Sequence, residues 1–257
     1  MTEDGTGTLG GVTSLSSARL RAFVRKHTRL QVVPDVPGLR LHMGSDVMAL
    51  CALAGAELGM ADPDLPYWAF PWAGGLAVAR HLTERPAEVA GLRVLDLAAG
   101  SGLCGFVAAR EGALRVVAND IDPLAGAAVW LNARENRLDV GFVGRDMSGD
   151  RPPDVDVILA GDVCYQPGMA ALLLPWLAAA AASGTRVLMG DPGRAYLPVG
   201  LERVATYRVT TSRELESAAS KEVGVYTFAR PLARTASVVG DQADLGPGVG
   251  GRGGSTA

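Results

Sequence analysis

Short apolar stretches alternate with longer stretches of helical periodicity through the middle of this 257-residue chain. Amphipathic helices are predicted at residues 74–82, 103–111, 123–138 and 168–182. Short, almost wholly apolar strands are predicted at residues 92–98, 114–120, 140–146, 155–163 and 185–191. Because strands that are apolar on both faces need cover on both sides, the pattern predicts an α/β fold with a mostly parallel sheet between helical layers.

The segments on either side of this core have their own patterns. Helices are predicted at 14–30 and 46–60, with a strand at 38–43 between them, and we interpret residues 13–65 as an N-terminal cover. Residues 201–231 predict a short helix and two strands, 206–211 and 223–229, that pair as an antiparallel hairpin at the sheet edge. Residues 1–12 and the Gly-rich tail 232–257 lack the apolar content that offsets the entropy of ordering, so we expect both to be disordered.

Composition and charge narrow the class of protein. A formal net charge of −3 argues against a protein that binds a nucleic-acid backbone. The sequence has no signal-peptide or transit-peptide pattern, and its longest apolar run is too short to span a bilayer. We therefore expect a soluble, cytoplasmic protein that binds neither nucleic acid nor membrane. We also expect no metal, because the cysteines and histidines are scattered and lack ligand spacing: Cys51, Cys104, Cys164, His27, His42 and His81.

The stretch VLDLAAGSGLCG, residues 94–105, contains the G-x-G-x-x-G pattern of a dinucleotide-binding loop. It also carries Asp96, four residues before the first of these glycines. A carboxylate at that strand end would repel the phosphates of a nicotinamide dinucleotide, whereas it would attract the ammonium and sulfonium charges of S-adenosylmethionine. We therefore predict S-adenosylmethionine as the cofactor, with Gly100 and Gly102 in the loop that binds it.

Aspartates stand at the ends of all the predicted core strands, where ligands bind in an open α/β sheet. Asp120 follows Gly100 by 20 residues and is placed to accept hydrogen bonds from ribose hydroxyls, which suits either cofactor. Asp146 is placed to accept from the adenine amino group or, alternatively, to cap a turn. The remaining members of this set are Asp162 and Asp191.

Several stretches between about Pro66 and Pro231 resemble the class I, seven-β-strand methyltransferases, and among them the electron transfer flavoprotein β-subunit lysine methyltransferases. They are PYWAFPWAGGLAVARHL, VLDLAAGSG, ANDIDPLAGAAVWLNARENRL, GDVCY and RVLMGDPGRAYLP. The resemblance implies a Rossmann-like sheet of seven strands whose last two form the hairpin, and a methyltransferase domain at residues 66–231. It implies cofactor contacts from Trp72, Asp96, Gly100 and Asp120, and a substrate-side role for Asp162 and Tyr165.

The acceptor in such a reaction is a neutral nitrogen lone pair held in line with the methyl group. A lysine amine, with an ordinary pKa near 10.4, must first lose a proton. Asp162 would attract the protonated amine and then hold the neutral one, and Tyr165 would orient a remaining amine proton; alternatively, Asp162 caps the following helix. The resemblance implies that Tyr67 and Trp68, in the aromatic cluster, stand at the substrate mouth, although such clusters also simply bury area. The turn Asp191 to Arg194 either has a purely local role or forms a wall of the substrate cleft.

The leading hypothesis is a protein-lysine N-methyltransferase whose substrate resembles the electron transfer flavoprotein β-subunit. The alternative is a small-molecule N-methyltransferase acting on a nicotinamide-like or secondary-metabolite amine, and a third reading is a non-catalytic nucleotide-binding factor. An open cleft would favour a lysine on a folded protein. A lid over the pocket from residues 14–60 would favour a small molecule.

Overall fold

The computed structural model describes residues 15–61, 63–212 and 217–229. Its helices are α1 (Ser17–His27), α2 (Val47–Leu58), α3 (Ala73–Glu84), α4 (Leu103–Arg110), α5 (Pro123–Asn136) and α6 (Pro167–Ala182), with short 3-10 turns at Tyr67–Ala69 and Pro86–Glu88. Its strands are β1 (Arg29–Val32), β2 (Arg40–Met43), β3 (Arg93–Leu97), β4 (Arg115–Asn119), β5 (Gly141–Val143), β6 (Val157–Gly161), β7 (Arg186–Asp191), β8 (Glu202–Thr210) and β9 (Ser220–Thr227). The predicted disordered ends, 1–12 and 232–257, lie outside the described residues. In the described part of the chain, no helix is both long and apolar enough to cross a membrane.

The core is a seven-stranded sheet in the order β5-β4-β3-β6-β7-β9-β8. Strands β3 to β7 run parallel, while β9 is antiparallel to both β7 and β8. Alternate side chains of the central strands pack against α3 and α4 on one face and against α6 on the other. This confirms the predicted Rossmann-like α/β fold with helices on both faces and a C-terminal antiparallel hairpin. Its parallel strands end along one edge, which is where the predicted aspartates meet.

The N-terminal cover has one strand more than the sequence pattern predicted. The helix predicted at 14–30 ends at His27, because Thr28 takes up extended backbone and closes the last turn through its N–H and hydroxyl to the Val24 carbonyl. The following residues form β1, which pairs antiparallel with β2. The prediction that the helix continues to Leu30 was therefore wrong. The spacing of apolar residues along one segment does not show that another segment, here β2, will pair with it as a strand.

The C-terminal segment also differs from its prediction. No helix occurs in residues 201–212 or 217–229, and residues 213–216 lie outside the described part. Most of this segment instead belongs to β8 and β9, which are longer than predicted and pair from Glu202↔Thr227 to Thr210↔Ser220. Most described residues of the segment 201–231 therefore lie in the two strands of the hairpin, and the predicted short helix is not found among them. In the core, β5 is limited to three residues although seven were predicted.

The start of α3 lies unusually close to the ends of β6 and β7. A Cβ on Gly74 would stand 2.2 Å from the Gly190 carbonyl oxygen and 2.6 Å from Asp162 Oδ2. A Cβ on Gly161 would likewise stand 2.8 Å from the Gly75 Cα. Real Cβ atoms do not approach other atoms this closely, so only glycine allows the helix to pack here. The approach brings the N–H groups of the first helical turn, among them that of Gly75, to the edge of the sheet.

We predict that Gly74→Ala lowers the free energy of unfolding by about 1–3 kcal/mol, because the added methyl group forces α3 away from β7. Gly168→Ala is a matched control: it is also the second residue of its helix, α6, but a Cβ there has nothing within 4 Å. This control should leave stability unchanged or raise it by up to about 1 kcal/mol. Urea unfolding of both variants measures the difference, and equal stabilities would contradict the packing argument.

Candidate active site

A cavity of about 590 Å³ opens at the carboxyl edge of the parallel strands, a volume typical of small-molecule and cofactor sites. The loops after β3, β4, β5, β6 and β7 all contribute to its wall. The structure brings most of the sequence-predicted site residues together in this lining: Tyr67, Trp68, Trp72, Asp96, Gly100, Asp120, Asp146, Asp162 and Tyr165. Gly102 is absent from the lining. It is the N-cap of α4 with a φ of 82°, and its missing Cβ leaves room for Phe106.

Asp96 is the most deeply buried charged group in the cavity lining, with 1% of its surface exposed. Its Oδ2 accepts a hydrogen bond of 2.8 Å from the Gly105 N–H in the first turn of α4. Burial raises the pKa of Asp96 to about 7, and the nearby Asp120 carboxylate acts in the same direction. A carboxylate held in this way is poorly compensated, and a cation placed in the cavity would favour its ionised form.

The turn between β3 and α4 is fixed from two sides. Gly100 has a φ of 51°, and its N–H donates a 2.8 Å hydrogen bond to Asp120 Oδ2. Asp120 Oδ1 accepts a second hydrogen bond from the Asp122 N–H. Each carboxylate oxygen retains further acceptor capacity, so Asp120 can hold the glycine turn and still accept from hydroxyl groups of a ligand. Burial raises the pKa of Asp120 from its ordinary value.

Aromatic side chains form the wall above this turn. The rings of Tyr67 and Tyr165 lie 4.8 Å apart between centroids, and those of Tyr67 and Trp72 lie 5.5 Å apart. The Trp72 indole N–H donates to the Tyr67 carbonyl, so its ring face is what remains for a ligand. Burial raises the pKa of both tyrosines, whose side chains also hydrogen-bond to each other.

Trp68 contributes to the cavity lining although it is almost wholly buried. It is 1% exposed and packs in a core cluster with side chains of α1, α2 and α5. A contact of Trp68 with the substrate stays a prediction. Some aromatic residues of the PYWAFPW stretch pack in the core, and others face the cavity. Because these residues are adjacent in the sequence, their spacing could not predict which of them would be buried.

Asp146 has the turn-capping contact that the sequence left open. Its Oδ1 accepts a 2.8 Å hydrogen bond from the Ser148 N–H, which holds the pKa of this exposed carboxyl below its ordinary value. The side chain also lines the cavity together with Met147 and Ser148. The predicted contact with an adenine amino group stays a prediction.

Asp162 follows β6 directly and has a φ of 60°, an uncommon backbone conformation that in functional sites often serves to aim a side chain. It is 8% exposed. Its Oδ2 accepts a 3.0 Å hydrogen bond from the Gly75 N–H at the start of α3, where the helix dipole favours a negative charge. Gly74 leaves space for this contact, because a side chain there would collide with the carboxylate.

The other oxygen of Asp162 contacts Arg194, which the sequence analysis had not paired with it. Arg194 Nη1 forms an ion pair with Asp162 Oδ1. The turn that carries Arg194 is held by Asp191, whose Oδ1 accepts from the N–H groups of Gly193 and Arg194 at 2.7 and 2.6 Å. Asp191 thus has the local turn role, while Arg194 lines the cavity, so both readings of the Asp-Pro-Gly-Arg stretch describe part of it.

Some lining residues gave no recognisable signal in the sequence. Asp64 and Asp122 both line the cavity, and burial raises the pKa of Asp122 to about 6. Asp122 also caps α5 by accepting from the Leu124 N–H, so it reads as an ordinary helix cap. One sequence feature could have indicated that α3 takes part in the site. Paired glycines at the start of a helix, here Gly74 and Gly75, suggest that another group approaches the backbone closely.

In the part of the chain that the structure describes, the entrance of the cavity is open toward solvent. None of the described residues 15–60 lines it; α1, β2 and α2 pack around α5 and the 3-10 turn at Tyr67–Ala69 instead. Three apolar residues of the lining are also largely exposed: Leu65 at 41%, Ile121 at 67% and Leu172 at 60%. An open mouth with an apolar rim is the arrangement expected for a lysine presented by a folded protein.

Comparison with known proteins adds sequence relatives. The chain is 36% identical over 220 residues to the electron transfer flavoprotein beta subunit lysine methyltransferase of Xenopus laevis, covering 81% of this chain and 86% of that protein. It is 37% identical over 220 residues to the human protein of the same name, covering 84% of this chain and 83% of that protein. Residues 81–163 match the family described as ribosomal protein L11 methyltransferase.

Solved structures give a more distant likeness. Magnesium protoporphyrin IX methyltransferase from Synechocystis, with bound SAM, aligns with a TM-score of 0.45 and 19% identity, over 60% of this chain and 78% of that one. TrmN from Thermus thermophilus aligns with a TM-score of 0.47 and 25% identity, over 64% of this chain and 52% of that one.

We predict that Asp96→Asn stabilises the ligand-free protein. A carboxyl whose pKa is raised by folding lowers stability above its unfolded pKa, near 3.8, and the full loss is reached only above pH 7. The stability of the wild type should therefore decrease from pH 5 to pH 8 relative to the variant, by at most about 3 kcal/mol. Denaturant unfolding of the two proteins across this range measures the difference. If the two curves of stability against pH are parallel, folding does not raise the pKa of Asp96.

Proposed function

Since the chain belongs to the electron transfer flavoprotein beta subunit lysine methyltransferase family, we propose that it transfers methyl groups to lysine side chains of a protein of that β-subunit type. The family membership favours a lysine on a protein over a small amine or pyridine as the acceptor. The open mouth of the cavity agrees with this choice. The cytoplasmic location expected from the sequence stays a prediction.

The observation that carries the proposal is the buried carboxyl of Asp96, which among the described residues has a backbone N–H as its hydrogen-bond donor and no cationic partner. A dinucleotide would bring phosphate charge toward this group, whereas S-adenosylmethionine brings positive charge. S-adenosylmethionine supplies an electrophilic methyl group when bound. The cavity residues suit it, since Asp96 would attract its charged methionyl end, Asp120 would accept from ribose hydroxyls, and the face of Trp72 would cover a cationic centre.

The glycine turn packs closely against the segment that carries the aromatic wall. A Cβ on Gly100 would lie 3.2 Å from the Tyr67 carbonyl oxygen, so the missing side chain lets the turn lie against the Tyr67 backbone. We propose that Gly100 contributes to the cofactor site through this packing and through its hydrogen bond to Asp120, while Gly102 supports the shape of the turn.

The acceptor side of the cavity handles a cationic amine. Asp162 offers a carboxylate oxygen for the lysine ammonium, and the phenol oxygens of Tyr165 and Tyr67 offer lone pairs to its remaining N–H groups. The low-polarity surroundings that raise the pKa values of these phenols also disfavour the charged form of lysine, as would the positive sulfur of a bound cofactor, and both act against the attraction of Asp162 for the ammonium. The amine then loses its proton to solvent at the open mouth and stays oriented by these acceptors.

We predict that S-adenosylmethionine binds more tightly as the pH rises toward 7. Binding of a cation requires ionised Asp96, so below its pKa of about 7 one proton must leave. The apparent Kd should therefore rise by up to about tenfold for each pH unit below 7 and level off above it. Calorimetric titration from pH 5.5 to 8.5 measures this. Asp96→Asn should bind weakly without that pH dependence, and binding of NAD in place of S-adenosylmethionine would end the cofactor assignment.

We predict that Asp162→Asn retains cofactor binding but loses methyl transfer to purified electron transfer flavoprotein, with kcat/KM lower by on the order of 100-fold or more. Tyr165→Phe should lose less, about tenfold, because one neutral hydrogen bond is removed. Tyr196→Phe makes the same chemical change on an exposed tyrosine outside the cavity lining and serves as the control. Labelled methyl transfer measures all three, and full activity of Asp162→Asn would exclude Asp162 from the reaction.

A further inference from the structure

Arg194 occupies the position that the proposed function assigns to the substrate. Its guanidinium pairs with Asp162 Oδ1, while Asp162 Oδ2 is held by the Gly75 N–H. A lysine ammonium that approaches Asp162 therefore meets a carboxylate that already has a cation. That the approaching group is a lysine ammonium rests on the proposed function.

A second carboxylate stands beside the same guanidinium. Asp191 is 1% exposed, and its Oδ2 lacks a hydrogen-bond partner among the described residues. Arg194 Nη1 forms an ion pair with this oxygen at 3.7 Å, a distance too long for a hydrogen bond, while its hydrogen bond goes to Asp162. A buried acceptor without a donor is unfavourable, so the structure holds a place where the guanidinium would be stabilised if it left Asp162.

The backbone allows this exchange without unfolding the loop. Asp191 Oδ1 already holds the N–H groups of Gly193 and Arg194, so the start of the Arg194 side chain is fixed next to Asp191. The long, flexible side chain needs only to turn its charged end from one carboxylate toward the other. The two carboxylates thus form a pair that shares one mobile cation.

We propose that Arg194 is a specificity-determining placeholder for the substrate ammonium: it neutralises Asp162 in the free enzyme and moves onto Asp191 Oδ2 when the lysine ammonium takes its place. Asp162 then has a cationic partner in both states, and Asp191 gains its missing donor in the substrate complex. A neutral pyridine or amide cannot supply the replacing charge, because its binding would leave buried Asp162 without a counter-ion. The exchange therefore selects a cationic amine at the binding step, before methyl transfer.

The test uses the full-length protein with S-adenosylhomocysteine bound, and n-butylammonium as a probe that carries the end of a lysine side chain. Arg194→Met removes the competitor, so the Kd of the probe and the KM of the protein substrate should both fall, by on the order of tenfold. Asp191→Asn keeps an oxygen for the turn but removes the charge that receives Arg194, so both constants should rise. Arg194→Lys retains a cation and should lie closer to the wild type than Arg194→Met.

The double variant separates exchange from a merely structural effect. In the Arg194→Met background there is no guanidinium to move, so Asp191→Asn should no longer change either constant. Arg115→Met makes the same change at an exposed position at the amino end of β4 and should match the wild type. Higher constants in Arg194→Met, or an equal effect of Asp191→Asn in both backgrounds, would overturn the proposal, as would failure of every variant to bind the probe. Absence of protein methylation by the wild type would instead overturn the proposed function, and the probe titration would still decide the exchange.

Discussion

The charge balance of three buried carboxylates at the carboxyl edge of the sheet is the constraint on which the rest of the site depends. Asp96, Asp162 and Asp191 are each at most 8% exposed, so water cannot compensate them. Asp162 and Asp191 share the ion pair with Arg194, and Asp191 also accepts from the backbone of its own turn. Asp96 has the Gly105 N–H and is otherwise stabilised by taking up a proton near neutral pH. The fold thus keeps one negative site whose natural partner is a cation from outside the chain.

The glycine pattern shows why a motif must be interpreted together with its charges. Gly100, Gly102 and Gly105 reproduce the spacing of a dinucleotide loop, and the structure gives each a physical role. The first two adopt left-handed backbone, and the third brings α4 so close to β3 that a Cβ would stand 3.1 Å from Asp96 Oδ2. These roles concern turn geometry and helix packing, which both cofactor classes need. The choice between the classes comes from the carboxylate that the third glycine contacts, and that carboxylate could be read directly from the sequence.

Most of the fold could be predicted from the sequence because its strands are short, apolar and separated by amphipathic helices. The strand β1 was missed, because the helical spacing of apolar residues before it also takes in Leu30, and the polar-apolar alternation from Arg29 to Val32 is only four residues long. These residues are extended in pairing with β2. The same distinction holds for the site. Asp96, Asp120 and Asp162 could be located because strand ends converge by topology. The ion pair of Asp162 with Arg194 joins residues 32 apart through side-chain orientation, and the burial of Trp68 depends on helices that precede it in the chain.

Two asparagines on α5, of which Asn132 is fully buried, tie the N-terminal cover to the helix, and Asn132 also reaches the glycine turn. Asn132 accepts a hydrogen bond from the His42 N–H of β2 and donates one to the Ser101 carbonyl, at 2.8 and 3.0 Å. Asn136, one helical turn later, accepts from the N–H and donates to the carbonyl of Arg40 in the same strand. Both bonds of Asn132 lie in the interior, where an unpaired amide is costly, so the strand and the turn are fixed relative to each other. The two asparagines of the stretch WLNARENRL therefore have a structural role. Their hydrogen bonds cross the predicted boundary at residue 65 between the N-terminal cover and the following domain, and they help to hold the glycine turn in place.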